Sequence, residues 1–176
     1  MKKLTLLGST GSIGLNSLEV VREFPQKFQI EALSCRSSIE NLVEQIKEFQ
    51  PRIVCVDKNE QASELRPIFP DTEFVCGLKG LIKISTDPKV DLVISGIVGA
   101  AGLRPTYSAL KVGKTVAIAN KEPLVMAGEL FMRTALESGA KMLPADSEHN
   151  GIFQALNNNP HESIARLILT ASGGSL

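Results

Sequence analysis

Gly8-Ser9-Thr10-Gly11-Ser12-Ile13-Gly14 places three glycines at intervals of three, directly after an apolar run and directly before a helical pattern. Glycine at such points lets the backbone turn tightly and approach a pyrophosphate, whose charge then meets the N-terminal amides of the following helix. The spacing is G-x-x-G-x-x-G where the commoner fingerprint is G-x-G-x-x-G, and the physical logic is the same. The competing reading is a glycine turn that serves only close strand–helix packing. The chemistry indicated is the binding of a dinucleotide.

The choice of dinucleotide is read at the end of the second strand, where an acidic residue would bond the ribose 2′-hydroxyl of NAD. Here Gln29–Ser34 runs into Cys35-Arg36-Ser37-Ser38, and one guanidinium with two hydroxyls suits a 2′-phosphate, favouring NADP. Glu31 lies toward the wrong end of that strand. Against this stands a solvated Arg36, with Ser38 acting only as the N-cap of the next helix and Glu40 in its first turn.

Two further clusters fall after later strands. Asn120-Lys121-Glu122 offers an amide, an ammonium and a carboxylate in succession, suited to orienting a ribose and holding an anionic or carbonyl-bearing substrate; a solvated charged loop is the alternative. In Asp146-Ser147-Glu148-His149-Asn150, an extended backbone would put both carboxylates on one side, where Mg2+ or Mn2+ could be shared, with His149 pointing away. Alternatively Ser147 caps a helix that continues through Gly151–Leu156, with Glu148 in its first turn. Thr170-Ala171-Ser172-Gly173-Gly174 can form an anion nest or a simple turn.

The elements that must position these groups follow from hydrophobic periodicity. Short runs rich in Val, Ile and Leu, at Lys3–Leu7, Gln29–Ser34, Ile53–Val56, Leu92–Ser95, Thr115–Ala119 and Lys141–Pro144, alternate with helical stretches at Ile13–Phe24, Ile39–Phe49, Glu60–Ile68, Leu103–Lys111 and Leu124–Ser138. A short strand at Glu73–Cys76 with a helix at Gly77–Ser85 fits the same alternation. Most strands lack polar alternation, as expected when helices cover both faces of a parallel sheet. In the second helix Ile39, Leu42, Val43, Ile46 and Phe49 form one apolar stripe. The prediction is an α/β, Rossmann-like, doubly wound and mostly parallel sheet over residues 1–145. A second, α+β domain begins at 146–176, opened by an apolar strand at Ile164–Thr170.

Composition narrows the partners. Lys and Arg number 19 against 19 Asp and Glu in 176 residues, so the net charge is zero and no basic stripe marks a nucleic-acid binder. No apolar run approaches the roughly 20 residues of a membrane span. Cys35, Cys55 and Cys76 form no C-x-x-C pair and sit in or beside apolar runs, the pattern of reduced, mostly buried thiols in a cytoplasmic protein.

Taken in order, GSTGSIG, then ANKE, DSEHN and TASGG resemble 1-deoxy-D-xylulose 5-phosphate reductoisomerases, and the four motifs span nearly the whole chain. The resemblance implies NADPH-dependent reductive isomerisation of 1-deoxy-D-xylulose 5-phosphate to 2-C-methyl-D-erythritol 4-phosphate in non-mevalonate isoprenoid biosynthesis. It implies NADPH contacts from Thr10, Gly11, Ser12, Ile13, Arg36, Ser37, Ser38, Asn120 and Glu122. Lys121, Ser147, Glu148 and Ser172 fall to the sugar phosphate, with Lys121 and Glu148 catalytic, and Asp146 and Glu148 hold Mg2+ or Mn2+. The family also implies a homodimer for the full-length protein. Two positions depart from its pattern: Pro123 follows the NKE run, and Arg36-Ser37-Ser38 replaces a Gly-Lys-Asn-like turn. Family chains are longer, so an amino-terminal part lacking some metal and substrate groups, and inactive alone, is expected. Two other readings are an NADP-binding module without catalysis and a semialdehyde-dehydrogenase-like oxidoreductase; the latter needs a catalytic Cys across the cleft, whereas all three cysteines fall among the first strands.

Overall fold

The short apolar runs up to Pro144 become strands, and helices dry both faces of the central ones. The computed structural model of the chain describes residues 1–156 and 159–168. Seven strands, β1 (Lys2–Leu7), β2 (Phe28–Ser34), β3 (Ile53–Val56), β4 (Glu73–Cys76), β5 (Leu92–Ser95), β6 (Thr115–Ile118) and β7 (Lys141–Pro144), form one sheet in the order β4-β3-β2-β1-β5-β6-β7. All six pairings are parallel. The helices between and after them are α1 (Ser12–Glu23), α2 (Ile39–Phe49), α3 (Asn59–Leu65), α4 (Gly77–Thr86), α5 (Leu103–Lys111), α6 (Glu122–Ser138) and α7 (Ser147–Leu156). The α/β, Rossmann-like expectation is met.

Two apolar cores lie on opposite faces of the sheet. On one, Leu18 of α1 and Leu42 and Ile46 of α2 pack on Leu4, Leu6, Leu33 and Val54. On the other, Ile84 of α4, Leu110 of α5 and Phe131 of α6 pack on Leu7, Ile53, Val93 and Val116. Complete burial of each such side chain contributes about 1.5–3 kcal/mol. After laying β2, β3 and β4 to one side of β1, the chain returns to its other side at β5, with Leu4 beside Leu92 and Leu7 beside Ser95. The carboxyl ends of β1 and β5 are therefore the topological switch point, where loops diverge and leave a crevice.

Three local expectations are corrected. α6 starts at Glu122 rather than Leu124, because Lys121 already has a helical backbone and Pro123 presets φ in the first turn. The helix expected at Gly151–Leu156 begins at Ser147, since the Asp146 carboxylate accepts the His149 amide at 2.9 Å and so caps it. Of the strand expected at Ile164–Thr170, residues 164–168 are irregular, with Leu167 and Ile168 exposed; no neighbouring strand among the described residues offers them a ladder. The last two residues of that segment lie outside the described residues. No described helix is long and apolar enough to cross a membrane.

Candidate functional site

The first glycine loop leaves β1 through Gly8, whose φ of +82° is the left-handed conformation that side chains rarely adopt. A Cβ on Gly8 would also lie 3.1 Å from the carbonyl oxygen of Gly96, the first residue after β5, so the two loops meet at the switch point. At Gly14 a Cβ would approach the carbonyl oxygens of Ser9 and Gly8 to 2.4 and 2.5 Å, which only glycine permits. Gly11 is the N-cap of α1, no side chain caps that helix, and its first turn holds no acidic residue. The N-terminal amides of α1 thus face outward with their positive potential uncancelled, the arrangement an anion needs.

The loop is tied down from behind. Gly8 N donates to Ser34 Oγ at 2.9 Å and Ser9 N to the Ser34 carbonyl at 2.8 Å. Ser9, Ser34 and Gln45 are all buried, and Gln45 of α2 bonds Ser9 through both ends of its amide. Sequence reasoning missed these three; a glutamine within the otherwise apolar inner face of α2 was the available signal.

Gly8, Thr10, Gly11, Arg36, Ser37 and Ser38 line one cleft of about 580 Å³, with Gly96, Ile97 and Val98 of the β5 turn on its other side. Ser38 does occupy the N-cap position of α2, yet its hydroxyl makes no capping bond. The simplest alternative for Ser38 therefore describes its backbone and not its hydroxyl. The Arg36 guanidinium makes no ion pair among the described residues, while the Arg36 carbonyl accepts Gln61 Nε2 at 3.1 Å. Glu31, the remaining acid of β2, is buried and committed to Lys3 at 3.2 Å and to Arg52, whose other partner is Asp87. It is not a ribose acceptor. The β5 turn was also missed, although a glycine directly after a strand repeats the signal seen after β1.

The second group of residues sits at the same carboxyl edge. Ladder bonds continue past the strand ends, from Ala119 N to Ser95 O at 3.2 Å and from Ala145 N to Ile118 O at 2.9 Å, bringing the loops after β5, β6 and β7 to one level. Asn120 Nδ2 donates to the Ile97 carbonyl, joining the β6 loop to the cleft wall. Lys121 is exposed and is the N-cap of α6. Glu122 Oε2 is buried without a hydrogen-bond partner, an acceptor left open to a donor from outside the chain.

Asp146 and Glu148 are not an extended pair: Asp146 is the cap of α7 and Glu148 lies in its first turn. His149 faces Asp146 rather than pointing away, with Nδ1 at 2.7 Å from Oδ1. Asp146, not Ser147, does the capping, so the Ser147 hydroxyl is spared that role. No group of three His, Cys, Asp or Glu among the described residues could hold a metal unaided. Ser172 lies outside the described residues.

Cys35 and Cys55 are buried and Cys76 is half-buried, and burial pushes the Cys55 thiol up to about 12. Burial also raises Cys76. Such thiols are poor nucleophiles.

A family model for 1-deoxy-D-xylulose 5-phosphate reductoisomerase matches residues 4–128, and one for the C-terminal domain of the same enzyme matches residues 142–176. The chain is 49% identical over 176 residues to the 1-deoxy-D-xylulose 5-phosphate reductoisomerase of Shouchella clausii, covering 99% of this chain and 46% of that one. A solved DOX-P reductoisomerase in complex with NADPH, fosmidomycin and magnesium superposes with a TM-score of 0.85 at 40% identity, over 90% of this chain and 41% of the other. The Zymomonas mobilis enzyme in complex with NADPH gives 0.83 at 33% identity, over 92% and 42%. The chain thus spans less than half the length of the curated relatives it matches.

Proposed function

Because this chain belongs to the 1-deoxy-D-xylulose 5-phosphate reductoisomerase family, we propose that it forms the NADPH-binding domain, residues 1–145, and the opening of the catalytic domain, residues 146–176, of an enzyme making 2-C-methyl-D-erythritol 4-phosphate from 1-deoxy-D-xylulose 5-phosphate. The reaction belongs to non-mevalonate isoprenoid biosynthesis, in the cytoplasm. One observation carries the reading: Arg36, Ser37 and Ser38 line the same cleft as Gly8, Thr10 and Gly11. Both anionic ends of the adenosine half of NADPH would find donors there.

Two features fit the dinucleotide, the uncapped N-terminus of α1 and the open acceptor on Glu122, while Gly8 and Gly14 let the loop pack closely on the β5 turn and on α1. Thr10, Gly11, Ser12 and Ile13 present backbone and hydroxyl donors to the pyrophosphate. Arg36 supplies the charge for the 2′-phosphate and Ser37 and Ser38 the hydroxyl bonds. Asn120, braced on Ile97, and Glu122 orient the nicotinamide end.

When bound, NADPH supplies the hydride and Mg2+ or Mn2+ the polarisation of the substrate oxygens. For the cation, Asp146 Oδ2 takes no bond among the described residues and Glu148 is exposed, so two hard oxygen ligands are available and others must come from outside them. Lys121 adds positive charge beside the site, and Ser147, Glu148 and Ser172 hold the sugar phosphate. The apolar side chains that α6 leaves exposed, Val125, Met132 and Leu136, support an assembled protein, proposed as a homodimer.

Titration with NADPH and NADH, followed by an assay of sugar-phosphate reduction with Mg2+, tests the reading. Preferential NADPH binding is expected; preference for NADH would defeat it. A second reading, cofactor binding without turnover by these 176 residues alone, is favoured by the share of the relatives' length that the chain spans. Turnover by the chain alone would exclude it.

A further inference from the structure

We propose that Gln45 is a positioning residue for the dinucleotide pyrophosphate, acting through Ser9; the proposal rests on the reading of the cleft as an NADPH site. Gln45 is 4% exposed and sits on the face of α2 that carries Leu42 and Ile46, where an apolar residue would pack at no polar cost. Both ends of its amide bond one loop residue. Oε1 accepts Ser9 Oγ at 2.6 Å, and Nε2 donates to the Ser9 carbonyl at 3.0 Å.

The second bond sets the direction of a peptide plane. In a planar trans peptide the carbonyl and the next N–H point in opposite directions. Holding the Ser9 oxygen inward on Gln45 therefore turns the Thr10 N–H outward, on the side where Thr10 and Gly11 line the cleft. The same carbonyl forms the surface against which Gly14 packs, so the bond also seats the first turn of α1. Ser38 is the N-cap of α2 and Gln45 follows seven residues later, about 10 Å along the axis. One rigid helix thus spaces the 2′-phosphate hydroxyl from the clamp on the pyrophosphate loop.

The test uses Gln45→Leu, with the unbranched Gln45→Met as a second variant should leucine prevent folding. NADPH and NADH both carry the pyrophosphate, whereas 2′-AMP carries only adenosine and the 2′-phosphate. The expected result is a loss of about 10-fold for NADPH and for NADH alike, as for removal of one partner of a buried hydrogen bond, with 2′-AMP binding unchanged. In the ligand-free chain, amide exchange at Thr10–Ser12 should rise by a similar factor. Equal loss for 2′-AMP would reduce Gln45 to a structural role, and no loss for either dinucleotide would overturn the proposal. Unchanged amide exchange, with NADPH bound normally by the parent chain, would remove the clamp and leave the cofactor reading standing. Faster exchange in a chain whose parent binds neither dinucleotide would overturn the proposal through failure of the cofactor reading.

Discussion

A Cβ built on Gly14 would stand 2.4 Å from the carbonyl oxygen of Ser9, closer than any side chain tolerates, and the obstacle is backbone. Gly14→Ala must therefore push α1 away from the loop. A destabilisation of about 2 kcal/mol or more in urea denaturation is expected, together with loss of NADPH binding. Gly128→Ala, beside the kink of α6 at Ala127, is the control, since its Cβ would meet nothing within 4 Å, and it should be close to neutral.

Arg36→Ala separates the two nicotinamide cofactors. Losing a charge-assisted bond to the 2′-phosphate should weaken NADPH about 10- to 100-fold and leave NADH nearly unchanged. Fluorescence titration of both reads the ratio directly, and equal losses would return Arg36 to a solvated loop.

What could be read from sequence, and what could not, divides by distance along the chain. The strands at Ile53–Val56, Leu92–Ser95 and Lys141–Pro144 were legible to the residue, because short apolar runs between helical patterns have few other fates. The glycine loop was legible because its spacing is local. Asp146 was not, because Asp146 and Ser147 are both good caps and only the bond to His149 decides between them. The clamp on Ser9 was hidden for a different reason: Gln45 is 36 residues away, and no local pattern pairs them. The apolar run from Ile164 misled because β-propensity without a partner strand makes no ladder.

Glu122→Gln tests the open acceptor in the first turn of α6. The variant removes a partly buried charge whose Oε2 lacks a partner in the chain. Thermal stability should hold or rise, while NADPH affinity falls several-fold. A stability loss with unchanged affinity would show that the carboxylate serves the fold.

Cys55 gives a pH signature. Its folded value of about 12 lies above the ordinary 9.0, so the unfolded chain loses this proton first as pH rises. The stability difference is fully present below pH 9 and is lost as pH climbs from 9 toward 12. Urea midpoints should fall over that window, and Cys55→Ala should flatten the fall. Alkylation at pH 8 should be slow in the native chain and fast after unfolding.

Arg52 bridges the buried Glu31 to Asp87 at the opposite end of the sheet from the cleft. Arg52→Met strands the Glu31 carboxylate in the interior with Lys3 alone. A loss of about 2–3 kcal/mol is expected, below the full cost of breaking a buried pair because Arg52 is itself 36% exposed. Adding Glu31→Leu should recover most of it, and denaturation midpoints of the single and double variants decide the point.

The position of β1 between β2 and β5 also sets an order of assembly. Its pairing with β2 closes a short stretch of chain, Lys2 to Phe28, whereas its pairing with β5 joins Leu4 to Leu92 and must wait for three intervening βα units. The glycine loop and the Arg36 turn are therefore expected to come together first, as a half-cleft with one wall. The opposite wall, Gly96 to Val98, docks only when β5 arrives. If the cleft holds NADPH as proposed, the cofactor in a refolding mixture would act on the docking of β5 and leave the pairing of β1 with β2 untouched.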